Sequence, residues 1–385
     1  MQAVILAAGE GKRLGPLTRG RPKALIPVAN RPILQYPIEA LLENGIRDII
    51  VVVGYRKEQV TRYLNQLEVP VSVVVQEKQL GTANALQCAE PLIHDDFLLL
   101  PGDNYIDATS IGRIAGLPNS MLVREHQSPS NFGVVTVRKG LVTGIVEKPS
   151  DAPSFMVSTG IFSLTRKFFG FIEENDLTEA VARMIASGET LRAVEATDWQ
   201  DALYPWDLLR MNGKLLAMVQ AGKEGKIARE TVISGSVSVG RGTRIGPYTV
   251  ITGPVVIGSD CEIGPHCVVT PYTSIGSRVR IEPFSTIGNS LLMDDLFIGS
   301  HSSVSGAVVG EGSTFAEHTS VLPGEGVIEV EGELLKTGFG AIVGGRVTTG
   351  PFTTFRNSII GNGVSIISAH RAFRSENIPD DAMVV

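Results

Sequence analysis

The chain has 385 residues, enough for two or three domains, and a 43% hydrophobic content that can fill real cores. Its net charge of −6 leaves no basic footprint for nucleic acid, and no apolar run reaches membrane-spanning length. The three cysteines, Cys88, Cys261 and Cys267, make no disulfide framework, and Met1 leads directly into a strand-like segment, so a cytoplasmic protein with neither membrane nor nucleic-acid partner is expected.

Residues 4–28 open with a buried apolar strand, Val4 to Leu6, which runs into the small-residue loop Ala7-Ala8-Gly9-Glu10-Gly11. Small residues let backbone N–H groups approach an anion closely, and glycine reaches dihedrals that a Cβ forbids. Three cations follow at short range, Arg13, Arg21 and Lys23. N–H donors together with fixed cations describe a site for a nucleotide triphosphate. Rival phosphate motifs fit poorly. A dinucleotide fingerprint needs a third glycine where Leu14 stands, and the second strand, ending Val53-Gly54-Tyr55, lacks the acid that would hold a ribose. A Gly-Lys-Ser/Thr phosphate loop is absent. The stretch Leu6-Ala7-Ala8-Gly9-Glu10-Gly11-Lys12-Arg13, followed by Pro22-Lys23, resembles the signature of the sugar-1-phosphate nucleotidylyltransferases.

Up to about residue 205, apolar runs alternate with helical stretches, as in parallel α/β sheets. The strand candidates are Val4–Leu6, Asp48–Val53, Val71–Gln76, Phe97–Leu100, Ser120–Val123 and Phe132–Arg138. Ile33–Asn44 and Lys57–Leu64 read as amphipathic helices. The expected fold is α/β: a Rossmann-like nucleotidyltransferase sheet over 1–222, ending in a linker helix over 205–222, and then a second domain over 223–385.

The second domain has its own rhythm. Ile233, Val239, Ile245, Ile251, Ile257, Ile263, Val269, Ile275, Ile281 and Ile287 recur every six residues, which marks a left-handed parallel β-helix. The rhythm slips near Leu291–Leu292 and again at Val309. It fades over Val321–Thr337, a loop or irregular coil, and returns at Val343. Cys261 and Cys267 share one inward place in consecutive repeats and read as packing residues.

Further blocks extend the resemblance. Gln76-Glu77-Lys78-Gln79-Leu80-Gly81-Thr82-Ala83 resembles the base-recognition block of members that use UTP, which implies that Gln76, Gly81 and Thr82 meet the base, although dTTP stays open. Asp103, just past the apolar Leu98–Leu100, sits where an acid could hold Mg²⁺ between phosphates. The resemblance implies a partner acid in Trp199-Gln200-Asp201, hence Asp201, with Asp198 the near alternative. Asn131-Phe132-Gly133 and Val146-Glu147-Lys148-Pro149 match sugar-side motifs, implying close approach at Gly133, Glu147 on sugar hydroxyls and Lys148 on the sugar phosphate. Ser158-Thr159-Gly160 has Ser where many relatives have Asn, so the identity of the sugar, N-acetylglucosamine or glucose, is open.

The reaction implied is Mg²⁺-dependent attack of a sugar 1-phosphate on the α-phosphorus of UTP or dTTP, releasing pyrophosphate. Arg13, Lys23, Asp103 and Lys148 are the implied catalytic groups; Leu6, Ala7, Ala8, Gly9 and Gly11 form the implied phosphate loop, and Ser158 and Thr159 the sugar side. A non-catalytic regulatory subunit of the same fold could have lost Arg13, Lys23, Asp103 or Asp201, and all four are present. Over nearly the whole chain the arrangement resembles bifunctional N-acetylglucosamine-1-phosphate uridylyltransferases, whose β-helix forms trimers and acetylates glucosamine 1-phosphate from acetyl-CoA. Gly299-Ser300-His301-Ser302 matches the segment of their histidine base, making His301 the candidate. Beyond it Phe315–Thr319 and Val321–Gly324 depart from the pattern, so little acetyl transfer is expected beside homotrimer formation.

Overall fold

A computed structural model describes the whole chain, Met1–Val385. The chain forms two compact units. The first comprises Met1–Glu10, Pro22–Leu25 and Ile33–Asp201; the second comprises Gly11–Arg21, Ile26–Pro32 and Ala202–Val385. The structural grouping therefore differs from a single boundary at 222. The helix Asp207–Leu216, read as a linker, belongs to the second unit, and so do two short stretches of the N-terminal segment.

The first unit is built on a nine-stranded sheet. Its parallel portion runs Val71–Val75, Asp48–Val53, Gln2–Ala7, Phe97–Pro101, with Ile5 beside Val51 on one side and Leu100 on the other. Asp48–Val53, Gln2–Ala7 and Phe97–Pro101 are largely covered on both faces, which is why they read as apolar runs, while the edge strand Val71–Val75 leaves Ser72 and Val75 exposed. The expected helices form as Gln35–Glu43 and Lys57–Leu64. The sheet is not parallel throughout. Met156–Leu164 enters antiparallel beside Phe97–Pro101, and Ser120–Glu125 pairs antiparallel with it in turn. A register shift between Ser158 and Phe162, with Gly160 at φ +75°, interrupts this strand and masks its alternation in the sequence. Val4, Val52, Leu86, Leu99, Phe97, Phe162, Val181 and Met184 close one side of the sheet as a core.

The second unit carries three parallel sheets stacked coil upon coil, as the six-residue rhythm predicts. Val237 lies beside Val255, which lies beside Thr273, so one coil takes three hexapeptides. The slip near Leu291 has a simple cause. Ser274 pairs with Leu291, one residue short of the earlier spacing, and the shorter coil persists through Thr286–Ser303 and Leu291–Val308. The faded stretch is an antiparallel hairpin, Gly324–Val330 with Glu333–Phe339, inserted between two coils. Past it the ladder resumes, with Ala307 beside Ala341. The aliphatic column from Val239 to Phe373 is a single core, and Cys261 and Cys267 lie within it. Burial pushes both thiols above the usual cysteine range, which fits inert packing groups.

One corner of the β-helix repeats a different feature. Tyr248, His266, Phe284, His301, His318, Phe352 and His370 occupy equivalent places in successive coils, each with φ between 56° and 63°. Their rings stack in an unbroken column with centroids 4.5–5.1 Å apart. Parallel in-register coils put each ring directly over the last, and stacked rings at this spacing attract.

Candidate active site

The carboxyl ends of the parallel strands bring the sequence motifs together. Gly102 N donates to the carbonyl of Leu6 at 2.8 Å, Tyr55 N to that of Ala8 at 3.0 Å and Gln76 N to that of Val53 at 2.8 Å. Gly54 and Gly102 are needed here for space. A Cβ on Gly54 would lie 2.8 Å from the Ala8 carbonyl, and one on Gly102 would press on Ala7, Ile5 and Leu34. Gly9 is different, since nothing lies within 4 Å of a Cβ built there. Its bareness leaves the loop open outward. Ala7 and Ala8 are buried, and Leu6 lies partly so.

Lys23 is the centre of the charged site. Its Nζ lies 2.9 Å from Asp103 Oδ2 and 3.1 Å from Asp201 Oδ1, with only 12% of its side chain exposed. Burial works against the ammonium, but the two carboxylates outweigh it and hold the Lys23 pKa well above its ordinary value. The cation is therefore permanent. Two acids remote in sequence meet because Asn104–Ile106 and Trp199–Asp201 form a small antiparallel ladder in which Asp201 faces Asn104. That register sets Asp201 next to Asp103. Asp198 falls outside the ladder, where its backbone N donates to Asp107 Oδ1 at 3.1 Å, so Asp201 and not Asp198 converges with Asp103. Asp107 is anchored by Ser110 and Thr197; despite the cost of its burial, these hydrogen bonds hold its carboxyl below the usual range. Asn104 Oδ1, on the residue after Asp103, is buried without a partner, and its Nδ2 donates to the Thr159 carbonyl. The two carboxylates around one cationic position are oxygen donors of the kind that suits a hard divalent ion.

In the Gln76–Ala83 block, Gln76 is buried, and its amide N–H groups reach Gly81 O at 3.0 Å and Asn84 Oδ1 at 2.9 Å. Both amide hydrogens thus hold the Gly81–Thr82 turn in shape. Gly81 has φ +141°, and a Cβ there would strike the Asn175 carbonyl, so the turn requires glycine. The Thr82 hydroxyl accepts from Leu177 N at 3.1 Å, tying this turn to the helix Leu177–Ala186.

In the Val146–Pro149 block, Glu147 Oε1 pairs with Lys148 Nζ at 3.0 Å, and its Oε2 accepts from the Thr178 hydroxyl at 2.9 Å. Gly133 lies under that carboxylate, with a built Cβ 3.2 Å from Oε2. Lys148 has φ +40°, an uncommon backbone state that turns the chain directly after the strand Leu141–Glu147. Ser158 Oγ accepts from Gly160 N at 3.1 Å. Thr159 is buried and donates to the Leu122 carbonyl at 2.9 Å, so its hydroxyl braces the strand.

Two signature cations lie in the other unit. Arg13 is half-buried in the Gly11–Arg21 stretch, within electrostatic reach of the Tyr204 phenol. Arg21 pairs with Glu311 of the β-helix and points a second N–H at Met293 Sδ, 3.9 Å away. Its partner could not be foreseen from sequence. His301 stands in the ring column, between Phe284 at 5.0 Å and His318 at 5.1 Å.

The nucleotidyl transferase family model matches residues 2–217. The chain belongs to this family. A second model, described as the GMPPB C-terminal domain, matches residues 251–371. The "Bifunctional protein GlmU" of Methanococcus maripaludis is 37% identical over 251 residues, 62% of this chain and 60% of that protein. The match to such relatives thus spans about 60% of their length. "UTP--glucose-1-phosphate uridylyltransferase AglF" of Haloferax volcanii is 35% identical over 54% of this chain and 93% of its own length. A solved structure, "UDP-glucose pyrophosphorylase from acinetobacter baumanii", shares the fold with a TM-score of 0.51 and 24% identity, over 56% of this chain and 93% of the other. No helix is long and apolar enough to cross a membrane.

Replacing Lys23 with Ala leaves Asp103 and Asp201 facing one another without a cation. Lys23→Ala should melt at a lower temperature than the parent in chelator-treated buffer and recover on addition of Mg²⁺. A melting temperature indifferent to Mg²⁺ would remove the acid pair as a divalent-ion site.

Proposed function

We propose that this chain transfers a nucleotidyl group from UTP or dTTP to a sugar 1-phosphate, N-acetylglucosamine 1-phosphate or glucose 1-phosphate, forming a nucleotide sugar and pyrophosphate. The observation that carries the reading is the meeting of Asp103, Asp201 and Lys23 at the strand ends that also bear the Ala7–Gly9 loop. The names of the relatives, one acting on glucose 1-phosphate with UTP, support the substrate class.

In this reaction an oxygen of the sugar phosphate attacks the α-phosphorus as the bond to the bridging oxygen of the β-phosphate breaks, and the electron pair leaves on pyrophosphate. No covalent bond to the enzyme is required, so catalysis consists of positioning and charge neutralisation. The backbone of Ala7 to Gly9 offers N–H groups to the nucleotide phosphates, with Leu6 and Gly11 at the ends of the loop. Lys23 and Arg13 supply fixed positive charge; the raised pKa keeps Lys23 charged throughout the physiological range. The Gly81–Thr82 turn, braced by Gln76, meets the base. Gly133 leaves room for the sugar, Glu147 accepts from its hydroxyls, Ser158 and Thr159 shape the adjoining strand, and Lys148 aims the attacking phosphate. Asp103 and Asp201 would hold Mg²⁺, which when bound neutralises charge on the phosphates.

The expected result of a pyrophosphate-release panel is turnover with UTP or dTTP and one of the two sugar 1-phosphates. Asp103→Ala should then lower kcat by about two orders of magnitude or more, the scale of losing one electrostatic clamp on the transition state. Release that is insensitive to Asp103→Ala would sink the assignment.

For the β-helix we infer self-association into a homotrimer without acetyl transfer. The exposed column of Tyr248, Phe284 and Phe352, with the outward Val232, Val250 and Val268 nearby in the coil, is the kind of apolar strip that further copies of the chain cover. Light scattering at micromolar concentration should give three times the chain mass, and a monomer would contradict this. His301 is one member of a repeated ring column, a place that packing alone explains. Acetyl-CoA with glucosamine 1-phosphate should therefore release no thiol above the blank; release abolished by His301→Ala would overturn this reading.

A further inference from the structure

The stretch directly after the small-residue loop is folded upon itself. Leu14 N and the Thr18 hydroxyl both donate to the Gly11 carbonyl, at 2.9 and 3.0 Å, and Leu17 N donates to Leu14 O at 3.0 Å. Leu14, Leu17 and Thr18 are buried. Gly11–Arg21 packs within the second unit, and one edge of the β-helix grips it at three points. Arg21 pairs with Glu311. Asn362 Nδ2 donates to the Pro16 carbonyl at 3.0 Å. Arg19 Nη1 lies 2.9 Å from Asp380 Oδ2.

The three β-helix residues are not scattered. Glu311, Asn362 and Asp380 occupy one corner in different coils, and they are tied to each other through the coil register. Arg346 N donates to the Glu311 carbonyl at 2.8 Å. Asn362 Oδ1 accepts from Gly345 N at 2.9 Å, and Asn362 N donates to Asp380 Oδ1 at 2.8 Å. Asn362 is thus locked at its amide oxygen and its backbone before its amide nitrogen reaches the loop. Side chains fixed in this way on a stiff solenoid position what they touch.

We propose that this edge, Glu311, Asn362 and Asp380, is the positioning element for the Gly11–Arg21 segment and, through it, for Arg13. The inference rests on the reading of Arg13 as a phosphate cation. It also gives Arg21 a different role from its neighbours in the signature: Arg21 is the anchor of the loop, and Arg13 is its working cation. Displacement of a phosphate-binding group by about an ångström costs up to about 100-fold in rate.

The test compares Asn362→Ala, Arg21→Glu, Glu311→Arg and the double exchange Arg21→Glu with Glu311→Arg in the full-length protein. Hydrogen exchange over residues 11–21 and steady-state pyrophosphate release are measured for each, with the nucleotide and sugar 1-phosphate that the wild type uses. Each single variant should exchange faster over residues 11–21 and lose about 10- to 100-fold in kcat/KM for the nucleotide. The KM for the sugar 1-phosphate should stay within about twofold, and the double exchange should recover most of the loss, a recovery that a general folding defect would not give. Unchanged exchange over residues 11–21 in Asn362→Ala and Arg21→Glu would overturn the anchoring. Faster exchange with unchanged nucleotide kcat/KM would overturn the positioning of Arg13. Absence of pyrophosphate release from the wild type defeats the functional reading instead, and the exchange data would then still decide whether the edge anchors the loop.

Discussion

A buried ammonium between two carboxylates imposes strict demands on its surroundings. Lys23 with Asp103 and Asp201 carries a net negative charge, and the largely buried ammonium is costly to leave without its carboxylates. The fold meets that demand through geometry remote from the charges themselves. Asp103 follows the strand Phe97–Pro101, whose first four residues are buried and which cannot shift without disturbing the core. Asp201 comes from nearly a hundred residues later, and only the ladder between Asn104–Ile106 and Trp199–Asp201 brings it alongside. The rings of Phe132 and Trp199 lie 5.5 Å apart, with His126 against Phe132, and Trp199 belongs to that ladder. A site that concentrates charge thus needs rigid strands on both flanks, and the sheet provides them.

The β-helix solves a different problem by repetition. Each coil offers the same three faces and the same corners, so any residue type that recurs at coil spacing becomes a column. Aliphatics make the core column, rings at left-handed corners make the stacked one, and Glu311, Asn362 and Asp380 make a polar edge. A column along a stiff rod holds a long segment at several points at once, which a single surface residue cannot do. Gly11–Arg21 is held in this way, over coils as far apart as Glu311 and Asp380.

What the sequence disclosed follows from how local the cause was. The small-residue loop Ala7–Gly11 and the six-residue rhythm are written in contiguous residues or in a fixed period, and the structure forms the corresponding elements, whereas the meeting of Asp103 with Asp201 depends on a ladder between distant segments. The antiparallel entry of Met156–Leu164 was hidden because Gly160 breaks its alternation and because strand direction is decided by partners, not by composition. The stacked column was hidden by the shortened coils, which carry Phe284 to His301 and His301 to His318 out of the six-residue frame. Gln76 and Thr159 show a subtler limit. Their types suit a binding surface, yet their hydrogen bonds go to the Gly81–Thr82 turn and to the Leu122 carbonyl, and no linear pattern records where an amide or hydroxyl is aimed.

Arg21 and His301 together show why a motif match and a role are separate conclusions. Each stands in a segment that resembles a working site, and each has an employment that coil geometry supplies. The guanidinium of Arg21 is matched in charge by Glu311, and the ammonium of Lys23 faces two acids, so the field that each cation offers is set by the carboxylates placed against it. The imidazole of His301 has a ring on either face, so only its edge is open to a reactant. In both cases the neighbours are contributed by other coils, tens or hundreds of residues away. The chemistry of a signature residue is decided by what the fold sets against it, and in this chain the β-helix decides it for the loop that follows the glycines.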